Sequence, residues 1–222
     1  MANKNITVLI DFDDTITTSN VAHIVLSEFA QPNWPEIREQ FIRGEIPAEG
    51  YFETPFENIT ADKSKQVDHI KQTAEVRSGF VEFNEFCIEN NINIAIVSRG
   101  LDYYIEAVLE KYRITNIPIF CVYTEFHKNA IKILSKYTDK NCNQWGICKC
   151  TVVDKYRKSS DTIIYIGDGQ NDLCPARKSN IIFARDSLVR HCKKENLDYF
   201  RFDDFISIKK KLIKIVEENH DR

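Results

Sequence analysis

The sequence predicts an α/β fold, a doubly wound parallel sheet with an inserted helical segment. Short apolar and β-branched runs recur along the chain and alternate with amphipathic helical patterns. Continuous apolar runs of this length are typical of parallel strands that are covered on both faces. One long stretch, residues 17–76, interrupts the alternation with helical periodicity and no convincing strand.

The apolar runs predict five strands, at residues 6–11, 92–98, 117–123, 162–168 and 180–184. Helical patterns cover residues 79–90 and 101–112, and a C-terminal helix from Phe205 to Val216 has one apolar side and one lysine-rich side. Residues 124–148 fit either a strand of a hairpin or a short helix, and we expect a hairpin.

The helical stretch is divided into short segments by Pro32, Pro35, Pro47 and Pro55. A connection between a strand and its following helix does not need so many residues. We therefore expect a core formed by residues 1–16 and 77–222, and a helical cap subdomain formed by residues 17–76.

Composition excludes several classes of function. The 222 residues include 30 Lys and Arg and 33 Asp and Glu, a net charge of −3, so no basic surface for nucleic acid is indicated. The apolar runs are too short to span a membrane, and the first five residues lack the apolar region of a signal peptide. We expect a cytoplasmic protein, monomeric or homodimeric, with no nucleic-acid or membrane partner.

Acidic residues follow two of the predicted strands. Asp11 and Asp13 end the first strand in "ITVLIDFDDT", where side chains two apart share a side. Asp168 ends a later strand in "IIYIGDGQND", with Asp172 four residues further on. If these strands are neighbours, Asp11, Asp13 and Asp168 converge at the edge where ligands bind, and hard oxygen ligands there favour Mg²⁺. Asp14 fits the commoner interpretation of such an aspartate, a turn residue.

Two further features predict an anion site. Ser98 follows the second strand in "IAIVSRG", and Gly100 precedes the expected helix, so a hydroxyl and backbone N–H groups are available there. Lys149 lies upstream of the Asp168 strand and offers a positive charge to a phosphate. Lys155 and Lys158 are alternatives that spacing alone does not exclude.

These four elements in this order resemble the haloacid dehalogenase (HAD) superfamily of phosphohydrolases. "DFDDT" matches the first motif, "IVSRG" the second, Lys149 the third and "IGDGQND" the fourth. The helical segment resembles the C1 cap of the phosphoserine-phosphatase-like branch. The resemblance implies a Rossmann-like core and an Mg²⁺-dependent phosphatase that hydrolyses a small phosphate monoester through an aspartyl-phosphate.

The resemblance also implies a role for each motif residue. Asp11 is the expected nucleophile and Asp13 the expected general acid and base, and Asp11, the Asp13 carbonyl and Asp168 are the expected Mg²⁺ ligands. The residues expected to hold the phosphoryl group are Ser98, Arg99, Gly100, Lys149 and Asn171. Thr15 is expected to support the first loop. Asp172 is expected to orient Lys149 or the metal waters.

Four segments resemble the methionine-salvage phosphatases that act on 2-hydroxy-3-keto-5-methylthiopentenyl-1-phosphate: "FAQPNWPEI", "TAEVRSGFVEF", "CNQWGICK" and "FARDSLVRHCKKENLDYFRFDDF". Phosphoserine phosphatases instead carry a glutamate at the position of Asn20, so free phosphoserine is disfavoured and Asn20 is a candidate specificity residue. They also carry Ser-Gly-Gly where this chain has Ser98-Arg99-Gly100, and Arg99 either binds an extra anionic group or faces solvent. Another sugar, nucleotide or phosphoserine-like ester is the alternative substrate.

Other classes fit less well. A phosphoryl-accepting receiver domain also uses Asp, Mg²⁺ and Lys, but it is shorter and places its acids on different strands. A HAD-fold binding protein without activity is expected to lack a catalytic aspartate, and none is missing. A dinucleotide-binding dehydrogenase is excluded because no G-x-G-x-x-G follows the first strand.

Two groups of residues have open interpretations. Cys142, Cys148 and Cys150 either form part of a zinc site, with His127 or Asp139 as a further ligand, or are reduced thiols that pack a turn. The aromatic residues of the helical segment either pack its interior or face the substrate; they are Phe29, Trp34, Phe41, Tyr51, Phe52 and Phe56.

Overall fold

The computed structural model describes residues 5–128, 130–140, 142 and 144–220. Seven strands form one sheet in the order β4-β3-β2-β1-β5-β6-β7, parallel except for the antiparallel pair β3 and β4. The strands are β1 Ile6–Ile10, β2 Asn93–Leu101, β3 Ile119–His127, β4 Ala130–Leu134, β5 Thr162–Gly167, β6 Ile181–Ala184 and β7 Phe200–Arg201. This order confirms the predicted doubly wound α/β fold, and β3 with β4 forms the expected hairpin.

Helices cover both faces of the sheet and fill the segment between β1 and β2. They are α1 Val21–Phe29, α2 Trp34–Ile42, α3 Ala48–Phe52, α4 Thr54–Glu57, α5 Lys63–Thr73, α6 Phe80–Glu89, α7 Asp102–Lys111, α8 Lys149–Arg157, α9 Leu173–Arg177, α10 Asp186–Lys194 and α11 Phe205–His220. None of the helices in the described part of the chain has the length and apolar character needed to cross a membrane.

The central strand β1 organises the core. Its residues are all buried, and Ile10 lies in parallel register between Ile96 of β2 and Ile166 of β5. The chain builds β2 and β3 on one side of β1 and then returns to build β5, β6 and β7 on the other. The strand order therefore reverses at β1 and β5, and in open α/β sheets ligands bind outside the carboxyl ends of the strands at this point.

Two details of the sheet differ from the prediction. β2 continues through residues 98–101, beyond the predicted end of the strand. Its register with β3 shifts between Val97 and Leu101, and this shift is a β-bulge. As a result, α7 begins at Asp102. β7 was not predicted, since two residues are too short to show a period.

The segment between β1 and α6 leaves and returns at one point of the core. Thr17 pairs with Val76 in an antiparallel bridge, and the Arg77 N–H donates to the Ile16 carbonyl at 2.7 Å. Between these residues lie helices α1–α5, and α5 packs against α7 of the core. This segment is called the insertion below; its function as a cap stays a prediction.

At the junction of α6 with α11, the backbone packs closely around a glycine. Gly79 has a φ of 79°, and a Cβ added there would lie 2.8 Å from the Ile206 backbone nitrogen. Gly44 has a similar φ of 72° with no atom within 4 Å of an added Cβ. We expect Gly44→Ala to lower the free energy of unfolding by about 1–2 kcal/mol, the cost of a left-handed L-residue.

In Gly79→Ala, the strain of a left-handed L-residue is joined by a clash with the Ile206 backbone. We therefore expect the free energy of unfolding to fall by about 1–3 kcal/mol more than in Gly44→Ala. Urea denaturation of the two variants measures the difference. Equal losses would show that α11 does not press on Gly79.

Candidate active site

A cavity of about 170 Å³ lies at the carboxyl ends of β1, β2 and β5, between the sheet and the insertion. Loops that follow these strands supply its core wall, and residues of α1, α3 and α4 supply the opposite wall. It brings together all the predicted site residues except Thr15, namely Asp11, Asp13, Asn20, Ser98, Arg99, Gly100, Lys149, Asp168, Asn171 and Asp172.

Lys149 is the first residue of α8, and only 2% of its side chain is exposed. Its Nζ lies 2.6 Å from Asp11 Oδ1 and 2.7 Å from Asp172 Oδ1. Burial alone lowers the pKa of this ammonium, but the two carboxylates outweigh burial and raise the pKa, so Lys149 stays cationic. The alternatives Lys155 and Lys158 are exposed, and they do not line the cavity.

Asp172 is fully buried and accepts four hydrogen bonds. Oδ1 accepts from Lys149 and, at 2.7 Å, from the Tyr165 hydroxyl; Oδ2 accepts from the backbone N–H groups of Asp168 and Gly169 at 3.1 and 2.9 Å. Burial alone raises the pKa of Asp172, but Lys149 and these donors lower it below the usual value. Asp172 is therefore a fixed anion that holds both the lysine and the turn after β5.

Three carboxylates converge, but the set differs from the predicted one: Asp172 takes the place of Asp13, whose carboxylate is held by Val21 and Tyr104 instead. Asp11, Asp168 and Asp172 each place an oxygen within 4.8 Å of the other two. Burial and the charge of Asp172 raise the pKa of Asp11 to about 6, against the effect of Lys149. Burial and the charges of Asp11 and Asp172 raise the pKa of Asp168 to about 8. Without a cation, burial and like charge thus disfavour the ionised forms of Asp11 and Asp168.

This donor set fits Mg²⁺, which prefers a few hard oxygen ligands and keeps water in its remaining positions. The oxygens of Asp172 are already used by four donors, so Asp11 and Asp168 are the better candidate ligands. Thr15 bridges the two strand ends, because its hydroxyl donates to Asp168 Oδ1 at 3.0 Å. The contribution of the Asp13 carbonyl stays a prediction.

Asp13 is held by two donors. Its Oδ1 accepts the Val21 N–H at 2.7 Å, at the start of α1, and its Oδ2 accepts the Tyr104 hydroxyl at 3.0 Å. Burial raises the pKa of Asp13 to about 7 although the hydrogen bond from Val21 opposes this rise. Both protonation states are therefore populated near neutral pH, which a group that gives and takes a proton requires.

Tyr104 is a site residue that the sequence analysis missed, because it lies within the helical pattern of residues 101–112, where a tyrosine is ordinarily a packing residue. Its position in the first turn of the helix that follows the second motif was the available signal. A Cβ at position 100 would collide with the Tyr104 hydroxyl. Gly100 is therefore needed for the close approach of this tyrosine to Asp13.

The second motif forms the bulge of β2. Ser98 is buried, and its Oγ accepts the Gly100 N–H at 2.9 Å, so this amide is engaged within the loop itself. The Arg99 guanidinium lies over the Phe52 ring, 5.9 Å from its centroid, and lines the cavity. Its Nε is buried and, among the described residues, has no hydrogen-bond partner.

Asn20 caps a helix. Its Oδ1 accepts the His23 N–H at 3.1 Å at the start of α1, and its Nδ2 lies 3.4 Å from Asp14 Oδ2. Asp14 has a φ of 61°, which agrees with the expected turn residue. Asn20 lines the cavity, but its amide is already used for local structure, and its influence on specificity stays a prediction.

Arg77 is a second residue that the sequence analysis missed. It follows the insertion, and its guanidinium donates to the backbone carbonyls of Asp14, Thr15 and Thr17 at 2.7–3.0 Å. These carbonyls belong to the kinked turn after β1. Arg77 therefore fixes the loop that carries Asp13 to the base of the insertion.

The wall opposite the carboxylates is aromatic. Phe52 stacks on Trp145 with a centroid distance of 4.6 Å, and the Trp145 Nε1 donates to Glu53 at 2.7 Å. Tyr51 and Phe56 also line the cavity, and His23 Nε2 lies 3.1 Å from the Tyr51 hydroxyl. Of the aromatic residues considered in the insertion, three line the cavity; Phe29, Trp34 and Phe41 do not.

The structure gives the cysteines partners that differ from those of the zinc site considered above. Among the described residues, the three aspartates are the one group of three or more His, Cys, Asp or Glu side chains with ligand atoms within 4.8 Å of one another. Cys142 and Cys148 interact with each other through their side chains, whereas Cys150 Sγ lies 2.6 Å from Cys174 Sγ.

Comparison with known proteins agrees with this geometry. Residues 6–195 match the model of a family described as "Putative Phosphatase". The chain belongs to this phosphatase family. It is 31% identical over 216 residues to a protein of Bacillus cytotoxicus named 2-hydroxy-3-keto-5-methylthiopentenyl-1-phosphate phosphatase, which covers 96% of this chain and 98% of that protein. A protein of the same name from Bacillus cereus is 30% identical with the same coverage.

Solved structures share the fold. A phospho-aspartyl intermediate analogue of phosphoserine phosphatase matches 94% of this chain and 99% of its own, with a TM-score of 0.71 and 18% identity. A substrate-bound phosphoserine phosphatase complex matches 95% of this chain and 99% of its own, with a TM-score of 0.72 and 17% identity. The predicted HAD fold and phosphatase class are confirmed.

The pKa values predict how stability depends on pH and metal. Raised pKa values of Asp11, Asp13 and Asp168 mean that the metal-free folded protein binds more protons than the unfolded chain. The contribution of these three carboxylates to the free energy of unfolding therefore falls as pH rises from about 4 to about 8. Mg²⁺ competes with these protons, so we expect it to raise the melting temperature more at about pH 8 than at about pH 5.

Asp172 and Lys149 do not reverse this trend. The stabilising contribution of Asp172, whose pKa is lowered, is lost only when the pH falls below this window. The stabilising contribution of Lys149, whose pKa is raised, is lost only in strong alkali above the window. Thermal unfolding in chelator and in Mg²⁺ checks the prediction, with Asp168→Asn as the control expected to lose most of the Mg²⁺ response. A response independent of pH would contradict the assignment of these carboxylates.

Proposed function

We propose that this phosphatase hydrolyses 2-hydroxy-3-keto-5-methylthiopentenyl-1-phosphate with Mg²⁺ through an aspartyl-phosphate. The observation that carries the proposal is the division of the cavity into two ends. Asp11 and Lys149 lie at the charged end, and Phe52 and Phe56 line the aromatic end. A phosphate group suits the first end, and the methylthio tail of that substrate suits the second. Relatives of this name that align over nearly the whole chain support the choice.

Asp11 is the nucleophile in this proposal. One of its carboxylate oxygens attacks phosphorus, and the Lys149 ammonium, 2.6 Å from Oδ1, orients the carboxylate and attracts a phosphoryl oxygen. Bound Mg²⁺ supplies positive charge that lets an anionic nucleophile approach an anionic ester. Ser98, the backbone N–H of Arg99, and Asn171 contact the remaining phosphoryl oxygens. Asp172 holds the lysine in place.

Asp13 manages the proton. In the first step, the bond from phosphorus to the ester oxygen breaks, and protonated Asp13 donates to that oxygen when the leaving group needs a proton. In the second step, Asp13 takes a proton from the water that attacks the aspartyl-phosphate, which releases inorganic phosphate and restores Asp11. A pKa of about 7 allows both steps near neutral pH.

The insertion is the cap in this proposal. Its first helix donates the Val21 N–H to Asp13, and its residue Phe52 stacks on Trp145 of the core. These contacts close the cavity over the charged end and exclude bulk water, which protects the aspartyl-phosphate from uncontrolled hydrolysis.

Asp11→Asn tests the mechanism. The amide has no negative charge for attack, so we expect phosphate release to fall by about a thousandfold or more while the fold is retained. Phosphate release from p-nitrophenyl phosphate and circular dichroism measure the two quantities. Asp14→Asn is the matched control, because asparagine also tolerates the left-handed turn; its activity should stay within about threefold of the wild type. Wild-type activity in Asp11→Asn would exclude this nucleophile.

A substrate panel tests the specificity. The wild-type enzyme is assayed with Mg²⁺ on the methylthio enol phosphate, phosphoserine, sugar phosphates and nucleotides. The proposal expects the highest kcat/KM on the methylthio enol phosphate. A higher value on another ester would assign the enzyme to that ester and leave the phosphatase chemistry unchanged.

A further inference from the structure

The side chain of Arg99 lies in the wall of the active-site cavity, and its guanidinium lacks a complete set of hydrogen-bond partners. Its Nε is buried and has no hydrogen-bond partner among the described residues. A buried N–H without a partner is destabilising, so native proteins rarely keep one without a reason. The side chain also lines the cavity that contains Asp11 and Lys149. In the described part of the chain the Arg99 side chain makes no hydrogen bond or ion pair, so a substrate atom in this cavity is the available partner for the part of the guanidinium that lines it.

The position of the guanidinium shows which part of a substrate it meets. Its backbone belongs to the loop between Ser98 and Gly100 in the core, whereas the guanidinium lies over Phe52 of the insertion. Phe52 in turn stacks on Trp145. Arg99 therefore lies at the boundary between the charged end and the aromatic wall. The phosphoryl group at the charged end already has its cation in Lys149.

We propose that Arg99 forms a second oxygen-binding subsite, which takes the keto oxygen of a phosphate ester whose leaving group is an enol conjugated to that ketone. This inference rests on the proposed function. The substrate class is thus narrower than phosphate monoesters: it carries a carbonyl near the phosphate and an apolar tail beyond it. A planar guanidinium that stacks on a ring and donates along its edge suits such a flat, conjugated group.

The subsite acts on the leaving group. When an Asp11 oxygen forms its bond to phosphorus, the bond from phosphorus to the enol oxygen breaks and its electron pair stays on that oxygen. Conjugation spreads this charge to the keto oxygen, where the N–H groups of Arg99 stabilise it. The enolate then needs little help from the proton of Asp13. Because the charge on the ketone grows in the transition state, Arg99 contributes mainly to kcat.

Arg99→Gln on two substrates tests the subsite. A hydrogen bond to a charged group is worth about 1.5–3 kcal/mol, so kcat/KM on the keto enol phosphate should fall about 10- to 100-fold, mostly in kcat. On p-nitrophenyl phosphate, whose leaving group has no ketone, kcat/KM should stay within about threefold.

Arg185→Gln is the matched control. Arg185 also lies over a phenylalanine, Phe202, at 5.9 Å, and has a buried Nη1 without a hydrogen-bond partner in the described part of the chain. It does not line the cavity, so both substrates should react at wild-type rates in this variant. A selective loss in Arg99→Gln but not in Arg185→Gln then reports the subsite rather than general destabilisation.

The outcomes separate the two proposals. An equal loss of kcat/KM on both substrates in Arg99→Gln would place the guanidinium on the phosphoryl group and overturn the subsite. No loss of kcat/KM on either substrate would also overturn the subsite. In both cases the proposed function stands if the wild-type enzyme prefers the keto enol phosphate. A wild-type enzyme that does not hydrolyse this ester would overturn the proposed function and the subsite together.

Discussion

The active site depends on one buried cation. Lys149 is held between Asp11 and Asp172 at 2.6 and 2.7 Å, with almost no access to water. A buried ammonium is tolerable only with such partners, and two buried carboxylates are tolerable only with such a cation. The three side chains come from α8, from the end of β1 and from the turn after β5. This ion triad therefore links the segments that form the charged end of the cavity.

The triad leaves charge uncompensated, and that excess is what the chemistry needs. One lysine serves two carboxylates, while Asp168 is held by the Thr15 hydroxyl and the pKa values of Asp11 and Asp168 are raised. A divalent cation that binds there gains from removing this repulsion. The repulsion between these carboxylates destabilises the fold, and burial of the apolar strands beneath them, including the whole of β1, offsets it.

How much the sequence predicted follows from the kind of signal each residue leaves. Charged residues that end an apolar run are conspicuous, so Asp11 and Asp168 were found, and the apolar runs predicted the sheet apart from β7. Spacing left Lys149 beside Lys155 and Lys158 as alternatives, and only the family resemblance singled it out. Tyr104 and Arg77 left no such signal, because a tyrosine on an apolar helix face and an arginine in a loop have many ordinary explanations. Their contacts with Asp13 and with the carbonyls after β1 exist only once distant segments are folded together.

In the proposed mechanism, the same geometry separates phosphoryl transfer from recognition of the leaving group. Both residues of the Asp11–Lys149 pair lie outside the insertion. Asp13 instead accepts the first N–H of α1, and Arg99 lies over Phe52, so both groups on the leaving-group side depend on the insertion. Changes in the insertion can therefore alter which ester fits while the nucleophile stays in place. This division explains physically how one sheet edge can support phosphatases for many different esters.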